Sequence, residues 1–179
     1  MACTSLTLKG LAKGCKDSLG GIKEVYLANS ADVTVTITDN AISAITQEQS
    51  SKFYTYQFAK NTGSMVTTME ADEAAGYIGF NTELSLQFNK LDTTNRLEFM
   101  AICLNDTVAI VKDQNDRYWF LGKDNPLSVS NGTITTGTQY NEFSGYQVTL
   151  NDIARQAPYE VTSTIFNGLT VADAPVPSA

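Results

Sequence analysis

Apolar and polar residues alternate with a period of two along much of this chain. From Asp32 to Thr38 (DVTVTIT), Val33, Val35 and Ile37 alternate with Thr34, Thr36 and Thr38. Successive strand side chains point to opposite faces, so the pattern predicts a half-buried strand. Ile22 to Ala28 (IKEVYLA), Phe53 to Phe58 (FYTYQF) and Gly145 to Leu150 (GYQVTL) read as strands as well. Asn40 to Thr46, carrying Ile42 and Ile45, reads as a short strand after a turn. Thr107 to Lys112 (TVAIVK) is nearly all apolar, as expected of a central strand covered on both faces. The polar run Asp113-Gln114-Asn115-Asp116 has turn chemistry, and Arg117 to Gly122 (RYWFLG) returns from it. Leu127 to Val129 predicts a short strand, and Gly132 to Tyr140 a flexible connection or edge strand.

The longest strands flank Glu73-Ala74-Ala75-Gly76. Ser64 to Asp72 (SMVTTMEAD) and Tyr77 to Asn89 (YIGFNTELSLQFN) predict a long hairpin with a small, acidic tip. In the second arm Leu84, Leu86 and Phe88 alternate with Ser85 and Gln87. A strand of about ten residues reaches about 30 Å. That length implies a hairpin that pairs with something outside the monomer.

One segment breaks the period of two. From Thr93 to Leu104, Leu97, Met100, Ala101 and Leu104 fall at i, i+3, i+4 and i+7, which predicts a helix. Asp92 is its N-cap, because its carboxylate can accept from free backbone N–H groups. The stripe is expected to lie on a sheet as part of the core. The pattern divides the chain into an N-terminal arm (1–21), a single mostly β domain (22–161) and a C-terminal arm with a Pro-rich end (162–179).

Composition narrows the function. Hydrophobic residues are 42% and charged residues 17%, enough for a core in a 179-residue chain. Twelve Lys and Arg against 19 Asp and Glu give a net charge of −7. Gripping nucleic acid needs clustered cations, so this balance argues against it, but not against DNA that passes without sticking. No apolar run suits a membrane span, and the N-terminus shows no signal-peptide pattern. Cys3, Cys15 and Cys103 are an odd number without a CxxC pair, so reduced thiols and a cytoplasmic site of synthesis are expected. Without an export signal, Asn105-Asp106-Thr107 and Asn131-Gly132-Thr133 read as chance glycosylation patterns.

Candidate chemistry is sparse. The chain has no His, which removes the commonest general base and most zinc sites. No phosphate-binding glycine loop occurs. Asp113 with Asp116, and Asp72 with Glu73, read as solvated turns rather than calcium or hydrolytic pairs. Cys15 between Lys13 and Lys16 lacks a base. Trp119, inside a strand, reads as core. No cofactor, no metal and no enzymatic activity are expected.

The order of elements, taken with four phrases, resembles a known family. GCKDSLGGIKEVYLAN, TELSLQFNKLDTTNRLEFMAI, TVAIVKDQNDRYWFLGKDN and FSGYQVTLNDIARQAPYEV, within residues 14 to 161, are similar to structural proteins of tailed phages that infect Bacteroidetes. The element order looks like a bacteriophage tail tube subunit. The resemblance implies two packed antiparallel sheets, a β-sandwich or barrel, with a flanking helix and a long hairpin. It also implies rings of six copies that stack into a tube for DNA ejection, in a virion, alongside other tail proteins and without a membrane. In that setting Glu70, Asp72, Glu73 and Glu83 are expected on the lumen side. Met65, Val66, Met69, Tyr77, Ile78 and Phe80 are expected in an inter-subunit hairpin. A head–tail connector, head decoration or baseplate protein is an alternative. A ligand- or carbohydrate-binding β-sandwich is another, and it would want Tyr54, Tyr56 and Trp119 exposed on one concave face.

Overall fold

The computed structural model describes residue 8 and residues 10–175. The chain is mostly β. Its strands are β1 (Ile22–Asn29), β2 (Val33–Thr38), β3 (Ala41–Gln47), β4 (Phe53–Tyr56), β5 (Ser64–Asp72) and β6 (Tyr77–Asn89). After helix α1 (Thr93–Leu104) come β7 (Thr107–Asp113), β8 (Tyr118–Leu121), β9 (Ser128–Thr135), β10 (Gly145–Ala154) and β11 (Tyr159–Val161). Helix α2 (Ser163–Asn167) and β12 (Val171–Ala172) follow. The strands form a six-stranded sheet ordered β11-β8-β7-β1-β4-β12, a four-stranded sheet ordered β5-β6-β10-β9, and the β2-β3 hairpin.

The six-stranded sheet is the middle layer, because its strands are apolar on both faces. On one face Val25, Leu27, Ala109, Val111 and Leu121 meet Leu84, Leu86, Val148 and Leu150 of the four-stranded sheet. On the other, Tyr26, Ala28, Val108, Ile110 and Phe120 are covered by Ile42 of β3 and by half-buried residues of β2 and α2. Alternate residues of β7 therefore enter different cores, which explains its unbroken apolar run. Each fully buried Val, Leu, Ile or Phe stabilises the fold by about 1.5–3 kcal/mol.

The C-terminal segment departs from the expected arm. Residues 163–172 lie on the middle sheet, and β12 pairs in parallel with β4. Phe166 stacks on Tyr118 at 4.1 Å and packs against Tyr26 at 4.8 Å between ring centroids. The side chain of Gln47 bonds both the N–H and the carbonyl of Thr170. Cys3 and the end of the chain, 176–179, lie outside the described residues.

Helix α1 has the predicted bounds and cap: the Asp92 carboxylate accepts from the Asn95 N–H at 2.7 Å. Its orientation is the reverse of the expected one. Asn95, Phe99 and Ile102 face the body, and Leu97, Met100, Ala101 and Leu104 face solvent. Phe99 decides this. Its ring packs on Tyr146 (centroids 5.2 Å apart), and a Cβ on Gly132 would come 3.0 Å from its Cζ. The bare backbone at Gly132 leaves room for the ring that no larger residue would leave.

The N-terminal arm has no strand or helix among its described residues. Its base is fixed by the β7–β8 turn. Asn115 accepts from the Leu19 N–H at 2.9 Å and donates to the Leu19 carbonyl at 3.0 Å. The Gln114 side chain donates to the Ile22 carbonyl. Beyond this clasp Leu11 is 104% exposed, so no described residue covers it.

Candidate functional site: an acidic sheet face with two free edges

The four-stranded sheet carries the residues singled out on the hairpin. Its register, Met65 opposite Leu84 and Val66 opposite Glu83, assigns every side chain to one of two faces. Leu84, Leu86, Val148 and Leu150 are fully buried, so their face is the inner one. Met65, Thr67, Met69, Ile78 and Phe80 share it. Val66, Glu70, Asp72, Tyr77 and Glu83 lie on the outer face. The six residues expected together in an inter-subunit hairpin are thus split by the pleat. Val66 and Tyr77 stand with the acids, and the other four stand with the core.

The outer face is mostly polar, with Val66, Tyr77 and Ile153 as exposed apolar residues on it. Asn81, Ser85, Gln87, Gln147, Thr149 and Asn151 line it beside Glu70, Asp72 and Glu83. Glu73 sits in the hairpin turn. None of the four strands contains a Lys or Arg. All twelve cations are therefore placed elsewhere in the chain. Glu70, Glu73 and Glu83 form no ion pair with a described residue. Asp72 differs from them, because its Oδ1 accepts from the Ala74 and Ala75 N–H groups at 2.9 and 3.1 Å and holds the turn.

The hairpin outruns its core. The buried inner-face residues stop at Thr82, and beyond it Met69 and Ile78 are 62% and 63% exposed. β5 and β9 are the two edges of the sheet, and neither pairs on its outer side with a described residue. All pairings are antiparallel, so with four strands β5 and β9 run in opposite directions. A β9 edge can therefore accept the β5 edge of another copy as a further antiparallel strand. Long exposed edges invite pairing with other chains unless something covers them.

The root of the hairpin is tied to the loop after β8. Asp152 is 3% exposed, and its Oδ2 accepts from the Gly122 N–H at 2.9 Å. Asp124 accepts from the Arg155 N–H, and Asn125 donates to the Ile153 carbonyl at 2.7 Å. Burial raises the Asp152 carboxyl above the usual aspartate range, and the Gly122 hydrogen bond counters this only in part. Its Oδ1 has no hydrogen-bond partner among the described residues. Because the folded-state pKa is raised, the folded state holds the proton more tightly than the unfolded one. The cost of burying the charge is absent below the ordinary aspartate pKa and grows as pH rises through the raised value. Asp152→Asn is expected to stabilise the fold at neutral pH by roughly 1 kcal/mol and to flatten its stability across the pH window that opens at the ordinary aspartate pKa and closes above the raised one. Urea melts across that window measure both effects; equal melts at neutral pH would contradict them.

The other candidates disperse. Asp113 is a hub of the β7–β8 turn, accepting from the Asn115 and Arg117 N–H groups and from the Trp119 indole. Burial alone would raise its pKa, but these bonds together outweigh it and lower the value. Asp116 lies between Lys23 at 3.1 Å and Lys112 at 3.3 Å. Trp119 packs on the first core. Tyr56 donates to Glu98 and packs on Phe88, and only Tyr54 is exposed, so no aromatic platform forms. Two shallow clefts, of about 250 and 330 Å³, bring together no acid, base and nucleophile. Among the described residues no cluster of His, Cys, Asp or Glu is placed to hold a metal ion, and no helix is long and apolar enough to cross a membrane.

Sequence reasoning missed two features. Asp152 stands where the series Tyr146, Val148, Leu150 calls for an apolar residue, and that break is the signal that marks it. The outward stripe of α1 had no such signal. The chain matches no protein-family model, no curated protein and no solved structure.

Proposed function

We propose that this chain is a structural subunit that assembles with copies of itself into a ring, and that rings stack into the tail tube of a bacteriophage. The observation that carries the reading is the four-stranded sheet: two edges of opposite direction that no described residue pairs, and an outer face whose strands carry acids and no Lys or Arg. Joining β9 of each copy to β5 of the next removes both edges of this sheet. An even number of strands per copy keeps the closed sheet antiparallel throughout. Six copies supply twenty-four strands, and a strand spacing near 4.8 Å gives a barrel about 37 Å across before tilting. The outer faces then line the lumen. Glu70, Asp72, Glu73 and Glu83 repel phosphates there, so DNA traverses the tube without being held. The work is mechanical, and no step needs a nucleophile or base.

The mass in solution tests the reading. Native mass spectrometry of the purified chain is expected to give a closed multiple of 19.4 kDa, and six copies if the ring is of the expected size. A monomer at every concentration would overturn it.

A further inference from the structure

The β2–β3 hairpin has one open side. β3 runs beside β11 and α2, whereas β2 pairs with β3 alone among the described residues. A cleft of about 250 Å³ follows the other side of β2, and no residue of β3 lines it. It lies between Val33 and Val35 on one side and Gly122, Lys123 and Pro126 on the other, with Val108 and Phe120 of the middle sheet beneath. We infer that this edge takes an extended segment of another protein as an added strand, one with alternating apolar residues and a Lys or Arg at each end. The inference does not depend on the tube reading.

Three observations point to such a partner. The first is the edge itself. Val33–Thr38 (VTVTIT) is β-branched at every position and holds no charge and no proline. Charges and proline are the usual means of blunting a strand edge, so this one offers its unpaired backbone groups openly. Main-chain bonds along that edge require a partner that is itself extended.

The second is the cleft. Side chains of an added strand alternate between its two faces. One set points down over Val108 and Phe120, and the other points out beside the exposed Thr34, Thr36 and Thr38. Small-molecule sites run from about 300 to 1,000 Å³. A cleft below that range suits the apolar side chains of a strand rather than a whole ligand.

The third is charge. From Asn29 to Ser51 the chain has no Lys or Arg. Asp32 and Asp39 stand at the two ends of β2, and the Glu48 N–H donates to the Asp32 carbonyl at 2.9 Å, which sets a further acid beside Asp32. Lys123 lines the cleft but is paired with Asp124 at 2.8 Å. A second β2 is a poor occupant, because antiparallel pairing in full register sets Asp32 opposite Asp39. A strand with a cation at each end meets an acid at each end.

Peptide binding tests the inference. The probes are the capped peptides KVTVTVK and EVTVTVE, read by fluorescence anisotropy and by hydrogen–deuterium exchange of the full chain. The lysine peptide is expected to bind about tenfold more tightly than the glutamate peptide, and to lose that advantage as salt rises. It is also expected to slow exchange in residues 33–38. Asp32→Asn combined with Asp39→Asn keeps the turn, because Asn tolerates the positive φ of 53° at position 39. That variant is expected to bind the two peptides equally. Failure of the lysine peptide to bind at about 1 mM overturns the inference. So does protection on β5 or β9 in place of β2, or a lysine preference that survives the double substitution.

Discussion

Replacing Met69 and Ile78 together with aspartate is expected to leave a folded monomer that no longer assembles. Both side chains are exposed beyond the buried part of the sheet, so the monomer loses little by their removal, within about 0.5 kcal/mol each. In the proposed closed wall the next copy would cover the same side chains. Each then contributes about 1.5–3 kcal/mol of apolar burial, and an unpaired carboxylate in its place costs several kcal/mol more. The two changes together weaken each contact by at least roughly 100-fold. Since a ring needs every seam, the loss multiplies around it. Sedimentation velocity reads the assembly and a thermal melt reads the fold. Intact rings at an unchanged concentration would contradict the role given to the hairpin tip.

Reversing the wall charge has the second large effect. In the proposed tube, Glu70→Lys, Glu73→Lys and Glu83→Lys together are expected to convert a wall that repels DNA into one that retains it. Asp72 is kept, because its carboxylate holds the turn through the Ala74 and Ala75 N–H groups. Each replacement moves the wall by two charges, and its four strands contain no Lys or Arg to begin with. Binding acquired this way releases counterions, so it should fall steeply with salt, with a slope of roughly −0.9 per phosphate neutralised. Filter binding of duplex DNA at low and at physiological salt makes the comparison, and in a virion the same change slows ejection. Equal retention by the two proteins would remove the acids from the lumen.

Much of this fold is legible in the sequence, and the reason is local. β5, β6 and α1 have the predicted bounds, because alternation, an acidic turn and an N-cap are written within a few residues of one another. β7 reads as central because every second residue serves a different core. What fails is what depends on distant partners. β12 is two residues long and exists because β4, more than a hundred residues earlier, offers an edge. The packed side of α1 is chosen by Gly132 on β9, not by the richer stripe of Leu97, Met100 and Leu104. β10 runs on to Ala154 because Asp152, polar in sequence, is accommodated by the Gly122 N–H. The candidate site shows the same division. The acids were visible as residues, but their common face needed the register of β5 against β6, and the two opposed edges needed the order of the whole sheet.

The closed acidic wall is tested most directly by cryo-electron microscopy of the purified, assembled chain. The account predicts a hollow ring or tube. Its inner wall is a continuous antiparallel barrel with strands spaced about 4.8 Å apart, β5 of each copy beside β9 of the next, and Glu70 and Glu83 pointing into the lumen. A solid particle, or a ring whose lumen is lined by the six-stranded sheet, would contradict it.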